Sequence, residues 1–234
     1  MYTEKTIAKF IALGKKLIKA FLAILASVHV IISRGNRKIG RFMNVSLAPI
    51  FSCKNCSGCK HFCYDLKACL RYPLTMQARI KNYVLAVHDR DRYFGEIIAR
   101  LARKRRGLMG FRWHVGGDIL DYDYFCRMVE IAKMFPNIDF WTYTKIYFFV
   151  NKYVAEHGGS KAAAIPKNLH VMFSVWYGMA IVNPYGFATF RCILKDGSCE
   201  KKRPDEMYCP GNCERCFKEK TGCIGEKNCC VNEH

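Results

Sequence analysis

The stretch Phe111–Lys145, FRWHVGGDILDYDYFCRMVEIAKMFPNIDFWTYTK, decides the fold. Residues 111–115, FRWHV, read as a strand, and Gly116-Gly117-Asp118 turns the chain. Residues 122–134 read as a helix, and residues 138–143, IDFWTY, as the next strand. Thr144-Lys145 then leads into a helix over residues 146–157. Strand, helix and strand in this order form a unit whose two strands run parallel, with the helix packed outside.

The alternation extends in both directions. Residues 169–175, LHVMFSV, are another strand, and residues 186–194 one more. Upstream, residues 42–47, FMNVSL, are a short strand ending at Pro49, and residues 75–106 a long helical stretch. That stretch closes on Arg103-Lys104-Arg105-Arg106, where cations suit a helix C-terminus, and Gly107 and Gly110 end it. Residues 4–26 have apolar side chains near helical spacing. The expected fold is α/β, a partial or compact (βα) barrel of parallel strands. An N-terminal basic amphipathic helix (residues 1–33) precedes the core (34–195), and a Cys-rich C-terminal metal-binding segment (196–234) follows it.

The apolar run Ala20–Ile32 follows five lysines and looks like a signal-peptide core, but Arg34 and Arg37 follow at once. It is too short to span a bilayer as a helix. A helix leading into a buried strand is the expectation, with no transmembrane segment; membrane-surface association stays open.

Composition sets the function classes. The chain has 234 residues, 51% hydrophobic, which excludes a disordered chain and needs no disulfide staples to bury a core. The net charge is +19, and it is uneven. The first 107 residues carry 22 Lys and Arg against 5 Asp and Glu, whereas residues 196–234 carry 7 against 8. A basic N-terminal half fits a nucleic acid or other anionic substrate; a solvated basic surface is the alternative.

Fourteen cysteines fall mainly into two groups. Cys53, Cys56, Cys59 and Cys63 are spaced x2, x2, x3, with Cys69 nearby. Cys209, Cys213, Cys216 and Cys223 form the second group, with Cys199 and the pair Cys229-Cys230. Near neighbours seldom meet disulfide geometry, but one loop can aim several thiolates at a metal. The spacing of the first run is that of a bacterial ferredoxin loop and favours a 4Fe–4S iron–sulfur cluster; zinc is the alternative. This usage indicates a reducing, cytoplasmic compartment. Cys126 and Cys192 read as ordinary buried thiols.

Polar residues past three strands form the candidate pocket, because sites in parallel α/β folds collect at strand carboxyl ends. His114, Asp118 and Lys145 are the candidate catalytic residues. Gly116, Gly117, Tyr143, Ser174 and Trp176 are candidate cofactor contacts. Singly, each has a plain structural reading: Asp118 as a helix cap, His114 as a core histidine, Lys145 as a solvated cation.

An ordered set of residues resembles the phage gene product 88 family. It includes Asn36, Ser46-Leu47-Ala48-Pro49 before Cys53, Cys63-Tyr64, Arg112-x-His114-x2-Gly117-Asp118 and Tyr143-Thr144-Lys145. It continues with Pro166-x-Asn168-Leu169, Phe173-Ser174-x-Trp176, Cys209-Pro210, Cys213-x2-Cys216 and His234. The resemblance runs from about Gly35 to the C-terminus, leaves residues 1–33 outside, and implies a phage or prophage origin. The layout also resembles radical S-adenosylmethionine enzymes, in which a cysteine loop follows the first strand and a Gly-Gly-Glu-Pro-like motif follows the second. That resemblance implies S-adenosylmethionine as cofactor, with Gly116-Gly117-Asp118 meeting its amino group. Here the first loop lacks the x3, x2 spacing of those enzymes, and aspartate stands in place of glutamate-proline.

Overall fold

A computed structural model describes residues 1–36, 38–56, 58–103, 110–195 and 201–232. Lys104, Arg105, Arg106 and Gly107 at the expected helix end, the boundary at residue 196, Cys199 and His234 lie outside the described residues.

The strands are β1 (Met43–Val45), β2 (Gly110–Trp113), β3 (Asp139–Thr144), β4 (Leu169–Val175), β5 (Thr189–Ile193), β6 (Met207–Tyr208) and β7 (Cys229–Asn232). They form one seven-stranded sheet in the order β1-β2-β3-β4-β5-β7-β6. The pairs β2–β3, β3–β4, β4–β5, β5–β7 and β6–β7 are all parallel. The helices are α1 (Glu4–Ala23), α2 (Tyr64–Arg71), α3 (Pro73–His88), α4 (Arg90–Ala102), α5 (Tyr122–Met134), α6 (Tyr147–Glu156), α7 (Lys161–Ala164) and α8 (Cys213–Glu219). The expected mixed α/β fold with parallel strands is therefore present. The strand order runs from β1 to β6 as the two outer strands.

The chain divides into two compact units. The first contains Met1–Ser33, Val45–Arg106 and His114–Asp118; the second contains Arg34–Asn44, Gly107–Trp113 and Ile119–His234.

In the first unit, Ile7 and Phe10 of α1 pack with Leu66 and Cys69 of α2 and with Met76, Ile80 and Val84 of α3. Thr3 caps α1 by accepting from the Thr6 amide. The helical stretch expected over 75–106 is two helices. Asp89 leaves helical dihedrals at φ −150° and accepts from the Arg92 amide at 3.4 Å, so it caps α4.

The buried strand expected after α1 does not form. Leu22, Ile24 and Ile31 are exposed, and Val28 alone between residues 20 and 32 is buried. Side chains satisfy this segment's backbone instead. Arg92 donates to the Leu25 and Ala26 carbonyls, Glu96 accepts from the Val30 amide, and Asn82 both accepts from and donates to Ile31. No described helix is long and apolar enough to cross a membrane.

In the second unit the sheet is covered on both faces. On one, Tyr147 of α6 stacks on Phe173, and Trp113 meets Tyr124 of α5. On the other, Phe42 sits between Trp141 of β3 and Phe217 of α8. The Cys-rich tail therefore lies on the face away from α5 and α6. A buried ion pair and a small charge network fasten it. Arg191 grips Glu206 in a buried two-pronged pair at 2.8 and 2.6 Å. His170 stands between Asp139 at 3.1 Å and Glu226 at 3.7 Å, with Lys220 on Asp139 and Lys161 on Glu226.

Candidate metal and substrate site

The candidate residues divide between the two units. His114, Gly116, Gly117, Asp118 and the first cysteine loop belong to the first; Tyr143, Lys145, Ser174, Trp176 and the tail cysteines belong to the second.

In the first unit, the chain leaving β2 is laced to the chain leaving β1. The His114 amide donates to the Val45 carbonyl at 2.9 Å, and the Leu47 amide to the Gly116 carbonyl at 3.0 Å. The Gly116 amide donates to Ser46 Oγ at 3.2 Å. His114 is buried with φ +52°, an uncommon conformation for a non-glycine residue.

The two glycines permit close approach of the protein's own side chains. A β-carbon on Gly116 would overlap the Asp65 carboxylate, and one on Gly117, at φ +85°, would lie 2.6 Å from Ser52 Oγ and 2.8 Å from Leu47 Cβ. Asp118 is buried and does not cap α5; Asp121 does, accepting from the Tyr124 amide at 2.9 Å.

The first cysteine loop starts six residues after Leu47, at Cys53, whose thiol lies 4.0 Å from Ser52 Oγ. Cys63 caps α2, its sulfur accepting from the Leu66 amide at 3.4 Å. Burial pushes the Cys63 thiol up to about 11, with the Asp65 carboxylate and the Cys59 thiol adding to the rise. Two backbone donors at the helix start oppose that rise by favouring thiolate. Cys69, by contrast, points into the apolar core of α1–α3 and is pushed to about 12 by burial. Around this loop Lys54, Lys67, Arg71, Tyr64 and Tyr72 are exposed, and the Arg71 guanidinium lies 5.5 Å from the Tyr72 ring.

In the second unit, the Tyr143 hydroxyl donates to Cys223 Sγ at 2.9 Å, and the Arg112 guanidinium lies 4.7 Å over the Tyr143 ring. Cys223 packs beside Cys229 in a cluster with Met172, Phe190 and Met207. The Cys229 thiol, then the Tyr143 hydroxyl and Arg112, bring Cys223 down to about 7 against the effect of burial. Cys209, Cys213, Cys216 and Cys223 lie within electrostatic reach of one another; burial, then the neighbouring thiols, push Cys216 to about 11. Lys145, Ser174 and Trp176 are half-buried, and the Ser174 carbonyl accepts from the Tyr147 hydroxyl at 2.5 Å. Among the described residues, no three His, Cys, Asp or Glu side chains converge as they would on a single ion.

One reading changes. Cys126 and Cys192 are partly exposed rather than buried.

The family motifs also acquire physical roles. Asn36 Oδ1 accepts from the Lys38 and Ile39 amides, closing a turn. Asn168 Nδ2 faces the Ala132, Phe135 and Ile138 carbonyls at 2.9–3.0 Å, closing the end of α5. The family model for Gene product 88 matches residues 18–178, more than half of the chain. The chain belongs to the phage gene product 88 family. The match begins inside α1 and ends just past Trp176, so it includes part of the N-terminal segment and stops short of the Cys-rich tail. The gene product 88 core thus contains the first cysteine loop, the Gly-Gly-Asp turn and Tyr143-Thr144-Lys145. No curated protein and no solved structure matches the chain.

Proposed function

We propose that this gene product 88 protein is an iron–sulfur enzyme of the radical S-adenosylmethionine type, acting on a nucleic acid, nucleotide or other anionic substrate. One observation carries the reading. The chain leaving β2 through Gly116 is hydrogen-bonded to the chain leaving β1 through Ser46 and Leu47. A cysteine loop and a Gly-Gly-Asp turn thus follow adjacent strands side by side, the order such chemistry uses. The strand order β1-β2-β3-β4-β5 supports a partial (βα) barrel, because each strand neighbours the next in sequence.

In type and spacing the donors suit the group: Cys53, Cys59 and Cys63 offer three thiolates from one loop, and a cluster takes such donors at separate corners, although in the structure they do not converge on one point. Cys56 is a fourth donor in the same loop. The α2 amides that donate to Cys63 stabilise its thiolate. A reduced cluster with bound S-adenosylmethionine supplies radical chemistry. The chain's own part is binding and orientation. Buried Asp118 and His114 hold the turn beside the cysteine loop, and exposed Lys54, Lys67 and Arg71, with Tyr64 and Tyr72, offer charge and stacking to an anionic substrate.

The same exposed group favours a second reading, a non-catalytic nucleic-acid-binding protein with a structural zinc or iron–sulfur site. The test is anaerobic purification with iron, zinc and sulfide analysis, followed by S-adenosylmethionine cleavage under reduction. Iron with matching sulfide and cleavage support the enzyme. Zinc alone, with oligonucleotide binding, supports the second reading.

A further inference from the structure

The segment expected to pass from α1 into a buried strand stays at the surface, beside a helix face of one charge. The inner side of α1 is apolar: Ile7 and Phe10 enter the core, and Ile11, Leu17, Ile18 and Phe21 pack against it. The outer side is lysine and alanine. Lys5, Lys9, Lys15, Lys16 and Lys19 are all exposed there, with small alanines between them. Helical spacing puts Lys5, Lys9, Lys16 and Lys19 on one face, a row about 21 Å long at 1.5 Å per residue. Glu4, the one acid of α1, is taken up by Lys60 at 2.8 Å and His61 at 3.3 Å.

Apolar side chains begin where the lysines end. Leu22 is 37% exposed and Ile24 54%, beside exposed Ala23 and Ala26. Ile24 leaves helical dihedrals at φ −121°, ψ 29°, and α1 stops there. Arg92 then donates to the Leu25 and Ala26 carbonyls at 2.6 and 2.9 Å, while Leu25 packs back on the core. The tip is therefore held in place with Leu22 and Ile24 in water.

A row of cations ending in a fixed apolar tip matches an anionic lipid surface. Headgroups answer the lysines, and the short alanines let them come close; the acyl boundary takes Leu22 and Ile24. A nucleic acid would answer the charge but leave the tip in water. It would also find no stacking surface on α1, whose aromatics Phe10 and Phe21 are packed inward. A second copy of this chain, at net charge +19, would bring like charge to the face.

We propose that α1 and its tip at Leu22–Ala26 form a docking surface for an anionic bilayer. The lysines lie on the headgroups, and Leu22 and Ile24 enter the acyl boundary. The helix lies on the membrane, because its apolar side is occupied by α2 and α3. Lys5, Lys9, Lys15 and Lys16 precede the family match, and the surface is independent of the cluster proposed for the first loop.

The experiment is flotation of the full chain with vesicles of phosphatidylcholine alone, and of phosphatidylcholine with about one-third phosphatidylserine. Binding is expected to the second and not to the first. Lys9→Gln/Lys16→Gln should weaken it about thirtyfold, since each lysine near the surface contributes about a factor of five. Leu22→Ser/Ile24→Ser should weaken it at least about tenfold. All four side chains are exposed, so both variants should melt with the parent. Lys67→Gln/Arg71→Gln, on the cysteine-loop surface, should bind vesicles as the parent does. No binding to phosphatidylserine vesicles, equal binding to both vesicles, or unchanged binding in either α1 variant overturns the proposal. So does oligonucleotide binding that Lys9→Gln/Lys16→Gln removes in the absence of vesicle binding, which assigns the face to nucleic acid instead.

Discussion

Gly116 lies against Asp65 so closely that a β-carbon on the glycine would overlap the carboxylate. Asp65 is buried and pairs with Arg79 at 3.0 Å, so the Gly-Gly turn, α2 and α3 are interlocked in the first unit. Gly116→Ala must therefore push Asp65 off Arg79. The expected cost is about 3 kcal/mol, from overpacking and a weakened buried pair. A urea unfolding curve reads it as a lower midpoint; an unchanged midpoint contradicts the packing.

Glu206→Ala leaves Arg191 buried without its carboxylate. Breaking one partner of a buried pair costs about 3–5 kcal/mol. Arg191 also donates to the Lys201 carbonyl, and Glu206 accepts from the Arg203 amide. The loss should appear first as faster amide exchange in residues 201–208.

Tail docking should depend on pH through His170. Burial opposes its charge, but the hydrogen bond to Asp139 and the nearby Glu226 carboxylate outweigh that and raise its pKa above the ordinary 6.5. The same histidine, and then Lys161, bring Glu226 down to about 2. Asp139 is lowered by His170 first and by Lys220 as well. The histidine contribution is full below pH 6.5 and is lost as pH rises through the raised value. The Glu226 contribution is full above its ordinary 4.5 and is lost as pH falls towards 2. Amide exchange across residues 220–229 should be slowest between those limits. His170→Gln should remove the alkaline limb; an unaltered limb would show that another group sets it.

Asn168→Ala strips the cap from three carbonyls at the end of α5. The expected loss is about 1–3 kcal/mol, the cost of leaving such acceptors without a donor. Thermal unfolding monitored by circular dichroism measures it, and a melting temperature equal to the parent's contradicts the role.

The parallel core was legible because Phe111–Lys145 carries its signals locally: two apolar strands, a helix between them, and glycines at the turn. Helix α5 falls at the expected residues 122–134. The break at Asp89 was not legible. Its neighbours all suit helices, and only the geometry reveals the Asp89 cap on Arg92. The exposed course of residues 20–32 was hidden for a similar reason: Asn82, Arg92 and Glu96, far along the chain, satisfy its backbone. In the tail, a two-residue strand such as Met207–Tyr208 shows no period, and its place beside β7 is set by tertiary pairing. Tyr143 was visible as a strand-end residue, but its partner Cys223 lies eighty positions away. Likewise, the sequence does not show that Asp65, Leu47 and Ser52 stand where β-carbons on Gly116 and Gly117 would lie.

The central claim is that the loop Cys53–Cys63 holds an iron–sulfur cluster beside the Gly116-Gly117 turn. The most direct measurement is iron and acid-labile sulfide per chain, with a visible spectrum, in anaerobically purified parent protein and in Cys59→Ser/Cys63→Ser. The account predicts a brown parent protein with iron and sulfide in equal amounts, and loss of that iron in the variant. A colourless parent protein with zinc and no iron, or a variant with undiminished iron, would contradict it.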